Sequence, residues 1–184
     1  MKTARDIPSH SHRSRAFTLV EMLTVVIVLG IVAATSIPAF TSVAEARKAA
    51  ATAEVERLLI TARARAMATS CPTGLEIPLA GDSVRTLEIL STGASPTVAK
   101  DLFGAPTSST VIPAVYGGAK VSSLVNGDGT TSSRVIWFTH SATPQTRTTS
   151  GVLISAFTQD AVITMATGAR LVVRRLTGAV EEQP

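Results

Sequence analysis

Few residues of this 184-residue chain have types and spacings that do chemistry. His10 and His12 lie near the amino terminus, which leaves His140, with Ser141 beside it and Asp160 further along. A hydroxyl activated by an imidazole that a carboxylate orients is the pattern of nucleophilic hydrolysis. This trio rests only on common residue types, however, and a histidine in the loop after a strand is the favoured reading. Asn126-Gly-Asp-Gly129 is oxygen-rich, as calcium loops are. It supplies one carboxylate, and Asn-Gly and Asp-Gly are ordinary turn dipeptides. The single cysteine, Cys71, has no partner for an intramolecular disulfide and reads as a small residue near a helix end. There is no phosphate-binding Walker loop, no Gly-x-Ser-x-Gly, no His-Glu-x-x-His and no cysteine pair. We therefore expect no enzyme, no cofactor and no metal.

Two charged features remain. Arg170, Arg174 and Arg175 form a small basic cluster near the carboxyl end, a weak candidate for nucleic-acid contact. Affinity for duplex DNA comes from neutralising several phosphates. On a strand, Arg174 and Arg175 would point to opposite faces, and Glu181 and Glu182 follow closely. The formal net charge of +4 adds little, because residues 1–16 carry four Lys/Arg and one Asp. Without them the chain has 13 basic and 12 acidic residues.

The second feature is Glu21, the one ionisable residue in an otherwise apolar or small stretch from Leu19 to Ile37. About 20 such residues span the hydrocarbon core of a bilayer, and the stretch exceeds the 7–15 apolar residues usual in a secretory signal. Lys2, Arg5, Arg13 and Arg15 before it keep the leader cytoplasmic and send the carboxyl-terminal part across. A carboxylate at membrane depth is costly and calls for a cationic partner.

Arg15-Ala16-Phe17-Thr18-Leu19-Val20-Glu21 resembles the cleavage and methylation motif of type IV prepilins and type II secretion pseudopilins. The resemblance implies cutting between Ala16 and Phe17 by a prepilin peptidase and N-methylation of Phe17. The family usually has Gly before the cut, where this chain has the small residue Ala16. Glu21 is then the fifth mature residue and Pro38 the twenty-second, where the family often carries a helix-kinking proline. For Glu21 the resemblance implies a role in assembly. Its carboxylate would meet the Phe17 amine of a neighbouring subunit, and N-methylation would leave that amine charged.

The elements that position these residues follow from periodicity. Pro38 removes one helical hydrogen bond and is expected to kink the helix without ending it. Val43–Met67 is Ala-rich and free of Gly and Pro. Ala51, Val55, Leu59, Ala62 and Ala66 recur at three- and four-residue spacing, which predicts one apolar stripe packing on a sheet. One bent helix from Phe17 to Met67 would be about 75 Å long. Thr69-Ser-Cys-Pro-Thr-Gly74 stops it. Strands are expected at Leu75–Leu79, Val84–Leu90, Val111–Tyr116, Lys120–Val125, Arg134–Thr139, Gly151–Phe157, Ala161–Met165 and Arg170–Leu176. Ser91–Val98, Gly104–Thr110, Asn126–Ser133 and Ser141–Ser150 read as exposed loops, and Thr158-Gln-Asp160 and Thr167-Gly168 as tight turns between antiparallel neighbours.

Ala64-Arg65-Ala66-Met67-Ala68 is similar to the Ala-Arg-x-x-Ala pattern of H-type minor pseudopilins, and Ala169–Val180 to their last strand, Gly turn and short final strand. The expectation is an α+β, pilin-like fold. Residues 1–16 form a cleaved leader, 17–40 a transmembrane helix, 41–70 its amphipathic continuation, and 71–184 a β-rich periplasmic domain of antiparallel sheet. The function implied is that of a minor pseudopilin of a type II secretion system, anchored in the inner membrane by a single span. Its partners would be prepilin peptidase, inner-membrane lipid and other pseudopilins. The alternative is a minor pilin of a type IV pilus or competence system contributing to DNA uptake, with nucleic acid as a partner.

Overall fold

The Ala-rich stretch of the chain lies before residue 70, and the glycines other than Gly30 and the turn dipeptides lie after it. The fold divides accordingly. The computed structural model describes residues 18–91 and 94–183, without the side chains of 35–40. The leader, Ala16 and Phe17 lie outside the described residues, as does the side chain of Pro38. Helix α1 spans Leu19–Thr69 and passes through both compact units of the chain, Met1–Ser42 and Val43–Pro184. Ser70 ends it in the left-handed region, at φ 56°, followed two residues later by Pro72, a common way to terminate a helix. Among the described residues, no helix is long and apolar enough to cross a membrane. The apolar run from Leu19 to Ile37 extends into residues whose side chains are outside the description.

In the first unit the large apolar side chains from Leu19 to Val32 are exposed, Leu19 by 84%. In the second unit the predicted stripe is the buried one. Ala51, Val55, Leu59, Ala62 and Ala66 are fully buried, and they share a core with residues of both sheets.

After α1 come β1 (Thr73–Glu76), β2 (Ser83–Glu88), β3 (Thr97–Val98), β4 (Thr110–Val111) and a short helix α2 (Ile112–Val115). Then follow β5 (Val121–Val125), β6 (Val135–Phe138), β7 (Pro144–Arg147), β8 (Leu153–Ala156), β9 (Ala161–Met165), β10 (Arg170–Val173) and β11 (Val180–Gln183). They form two antiparallel sheets where one was expected. One has the order β3-β2-β1-β6-β7-β8, with β4 also on β2; the other has the order β11-β10-β9-β5. Leu75, Ile77, Val84, Ile136 and Phe138 of the larger sheet join Leu124, Ile163, Met165, Leu171 and Val173 around the α1 stripe. Period-two alternation sends the other residues of the larger sheet to its outer face. There Trp137, Leu87 and Ile89 make a second, smaller cluster.

Three sequence expectations are corrected. Ser141–Ser150 is not an exposed loop: β7 lies within it, with Pro144, Gln145 and Thr146 buried between β6 and β8. Its Pro, Gln and Thr disguise a strand whose buried positions are polar. Thr158-Gln-Asp160 does not join antiparallel neighbours, because β8 and β9 belong to different sheets. Val111–Tyr116 is a two-residue strand running into α2, since Pro113 suits a helix start and cannot donate to a ladder.

Candidate functional site

The amino-terminal end of α1 holds Glu21, for which the sequence resemblance implies a role in assembly, while Ala16 and Phe17 lie outside the described residues. Thr18 precedes the first helical residue and caps the helix. Its Oγ1 accepts the Glu21 N–H at 3.2 Å, and its carbonyl accepts the Met22 N–H at 3.1 Å. Thr-x-x-Glu is half of a capping box, in which the hydroxyl satisfies a backbone donor that the helix itself leaves unpaired. Sequence reading passed over Thr18, although that spacing is its signal. Glu21 sits in the first turn, where a negative charge is also favoured by the helix dipole. Its side chain is exposed, and among the described residues no cation lies within ion-pair distance of it. Thr24 donates its hydroxyl to the Glu21 carbonyl at 2.9 Å. The described part of the site is thus a capped helix start presenting a free carboxylate beside exposed apolar side chains.

The basic cluster near the carboxyl end is largely occupied. Strand β10 stops at Val173, so Arg174 and Arg175 lie in the turn to β11 and not on opposite faces of a strand. The turn is closed by Arg174 N–H to the Ala179 carbonyl and Gly178 N–H to the Arg174 carbonyl, both 2.8 Å. Arg174 Nη2 reaches Glu181 at 2.6 Å and its Nη1 reaches Asp160 at 2.9 Å, which raises the guanidinium pKa further. Arg175 gives its N–H to Asp160 at 2.8 Å and its Nη1 to the Thr158 carbonyl at 2.9 Å. Arg170 is exposed on β10, opposite Gln183.

The residues weighed for hydrolysis are not hydrogen-bonded to one another. Ser141 Oγ bonds the hydroxyls of Thr139 at 2.8 Å and Thr143 at 3.1 Å. The Asp160 carboxylate is taken by Arg175 and Arg174, which hold its pKa below the usual carboxylate range. Asn126-Gly-Asp-Gly129 is a closed turn. Buried Asn126 donates to the Val135 carbonyl at 3.1 Å, and Asp128 accepts both the N–H and the hydroxyl of Thr130 at 2.8 Å. Among the described residues no group of three His, Cys, Asp or Glu could hold a metal ion.

The chain matches the family model described as the prokaryotic N-terminal methylation motif over residues 11–37, a stretch that contains Ala16, Phe17 and Glu21. No curated protein matches the chain. Among solved structures it is similar to the type IV minor pilin FimU of Pseudomonas aeruginosa strain PAO1. The identity is 15% and the TM-score 0.45, with coverage of 73% of this chain and 91% of that one.

Proposed function

We propose that the chain is a prepilin-like structural subunit, a minor pseudopilin of a type II secretion system, and not an enzyme. Prepilin peptidase cleaves it between Ala16 and Phe17 and methylates Phe17. The apolar half of α1 anchors it in the inner membrane, with the β-rich part in the periplasm, and it assembles with other pseudopilins into a short filament. The methylation motif over residues 11–37 carries this reading, since it ends inside a helix whose first turn bears Glu21.

Assembly follows from the chemistry of that helix start. A lone carboxylate in an apolar setting is stabilised by a cation brought to the same depth. Cleavage creates one, the Phe17 α-amine, on every subunit. Glu21 of one subunit pairs with the amine of the next and sets its register, and the exposed side chains from Leu19 to Val32 then pack between helices. Pro38 gives the helix the bend that packing requires.

Intact mass and amino-terminal sequencing of the protein from native membranes test the reading. The expected product begins with N-methyl-Phe17. A chain that still begins with Met1 would show Ala16 to block cleavage, and a start between residues 41 and 49 would make the apolar run an ordinary secretory signal. Either result overturns the proposal.

A further inference from the structure

Strand β8 closes one end of the larger sheet, and among the described residues no strand lies on its outer side. Folded proteins usually blunt such an edge with charge, proline or extreme shortness, because its unpaired backbone groups recruit other chains. Of the other edge strands β11 and β3 follow that rule, whereas β5 has neither charge nor proline but exposes Ser122 and Ser123 in place of large apolar side chains. The edge strand β11 carries Glu181 and Glu182, and β3 is two residues long. Strand β8, Leu153-Ile-Ser-Ala156, has neither charge nor proline. Val152, Leu153 and Ile154 are instead 60%, 54% and 59% exposed, three large apolar residues in succession.

A groove of about 500 Å³ opens at the head of this strand, between Cys71 and Pro72 after α1, Ile89 after β2, and Val152 and Leu153. Arg147 of β7 lines it. Its guanidinium is held in place, Nη1 donating to the Gly151 carbonyl at 2.6 Å. With the Gln145 amide oxygen turned toward it, Nε and Nη2 donate there at 2.5 and 2.7 Å. A guanidinium has five N–H donors, so two remain for the groove. Among the described residues no carboxylate lies within ion-pair distance of Arg147. Burial pulls its pKa below the ordinary value, so the charge sits partly desolvated with no counter-ion of its own.

We propose that the β8 edge and the groove at its head dock an extended segment of a partner polypeptide, which pairs backbone to backbone with Leu153–Ala156 and places a carboxylate against Arg147. Strand addition takes its affinity from the ladder and its specificity from side-chain pockets beside it. Here the pocket selects an acidic residue within an apolar, extended sequence. A second copy of this chain pairing through its own β8 does not fit, because that strand has no carboxylate and would leave Arg147 unmet. Nothing in this depends on cleavage at Ala16 or on filament assembly.

The test is site-specific photo-cross-linking of the full chain in native membranes, with p-benzoylphenylalanine at Leu153 and the cross-linked peptide identified by mass spectrometry. The expected product is one recurrent segment of another protein, with an Asp or Glu within a few residues of the cross-link. Its yield should fall about tenfold in Arg147→Gln, the scale of losing a charge-assisted hydrogen bond. It should fall comparably in Ile154→Lys, which puts a charge on the edge at an exposed position and leaves the fold intact if Arg147→Gln does not. Leu79, exposed elsewhere in the same unit, should not capture that segment. Cross-links to lipid alone, to another copy of this chain, or to a segment insensitive to both substitutions would overturn the proposal, as would no cross-link at all.

Discussion

Arg65 on α1 and Glu88 on β2 tie the helix to the larger sheet, with Nη2 and Nε 2.7 and 3.1 Å from the same carboxylate oxygen. The Glu88 side chain is only 4% exposed, and its other oxygen accepts the Lys100 N–H at 3.2 Å. Arg65→Ala leaves a buried carboxylate without its cation, which should cost about 3–5 kcal/mol. Glu88→Gln keeps one oxygen for Arg65 but turns an amide NH2 toward the Lys100 N–H, and should cost less, about 1–3 kcal/mol. Thermal melts of the two variants in detergent check this. No loss in Arg65→Ala would mean that the pair holds nothing together, and equal losses would assign its contribution to the hydrogen bonds and not to the opposite charges.

The pH dependence of stability follows from Asp160. The Arg175 N–H first, and then the Arg174 side chain, hold its pKa below the usual carboxylate range. A carboxyl whose folded pKa is depressed contributes stability that is complete above its unfolded value, about 3.9 for Asp. That contribution is lost as pH falls through the folded value. Glu54, lowered chiefly by its hydrogen bond from Arg57, acts in the same direction. Melting temperature should therefore fall below about pH 4. Asp160→Asn should give a shallower fall, with the remainder left by Glu54. An unchanged acid slope in that variant would remove Asp160 from the account.

The α1 stripe was legible in the sequence because a single helix face buried on one side leaves a clear three- and four-residue pattern. All five predicted positions are fully buried. The strands from Ala161 and Arg170 were legible for a similar reason, since β-branched residues there are bounded by a Gly turn. β7 was not. Its Gln145 and Thr146 are buried polar residues, and a pattern search reads polar residues as solvent-facing. The division into two sheets was equally hidden, because it depends on where β8 stops pairing and not on the composition of any segment. At the helix start the carboxylate of Glu21 stood out against apolar neighbours. Thr18, whose role is a local backbone hydrogen bond, looked like any other threonine.

That local role makes Glu21 separable into two parts. A Gln at the third helical position still serves a capping box, but it carries no charge to pair with an amine. If charge pairing recruits subunits, Glu21→Gln should fail to enter filaments as severely as Glu21→Ala while the isolated protein keeps its helix content. Filament incorporation by immunoblot of sheared fractions, with circular dichroism of the purified variants, separates the two. Normal incorporation of Glu21→Gln would refute the charge pairing and leave the residue with its helix-end role.

Nucleic-acid contact through the carboxyl-terminal arginines makes a quantitative demand that the geometry does not meet. Each phosphate neutralised on duplex DNA contributes about 0.9 to the slope of log affinity against log salt. Arg174 is neutralised by Glu181 and Asp160, and the Arg175 guanidinium is engaged by the Thr158 carbonyl. Arg170 and Arg175 are left as exposed charges of the cluster with no ion pair among the described residues. At most two phosphate contacts are available in the cluster, so any retention of DNA through it should show a salt slope no steeper than about 2. Arg170→Glu together with Arg175→Glu should leave retention unchanged; neither removes a partner of Arg174, so the turn survives. Filter binding of a duplex across a salt series measures both quantities. A slope steeper than about 3 that collapses on charge reversal would require several cooperating cations and would favour the DNA-uptake reading over secretion.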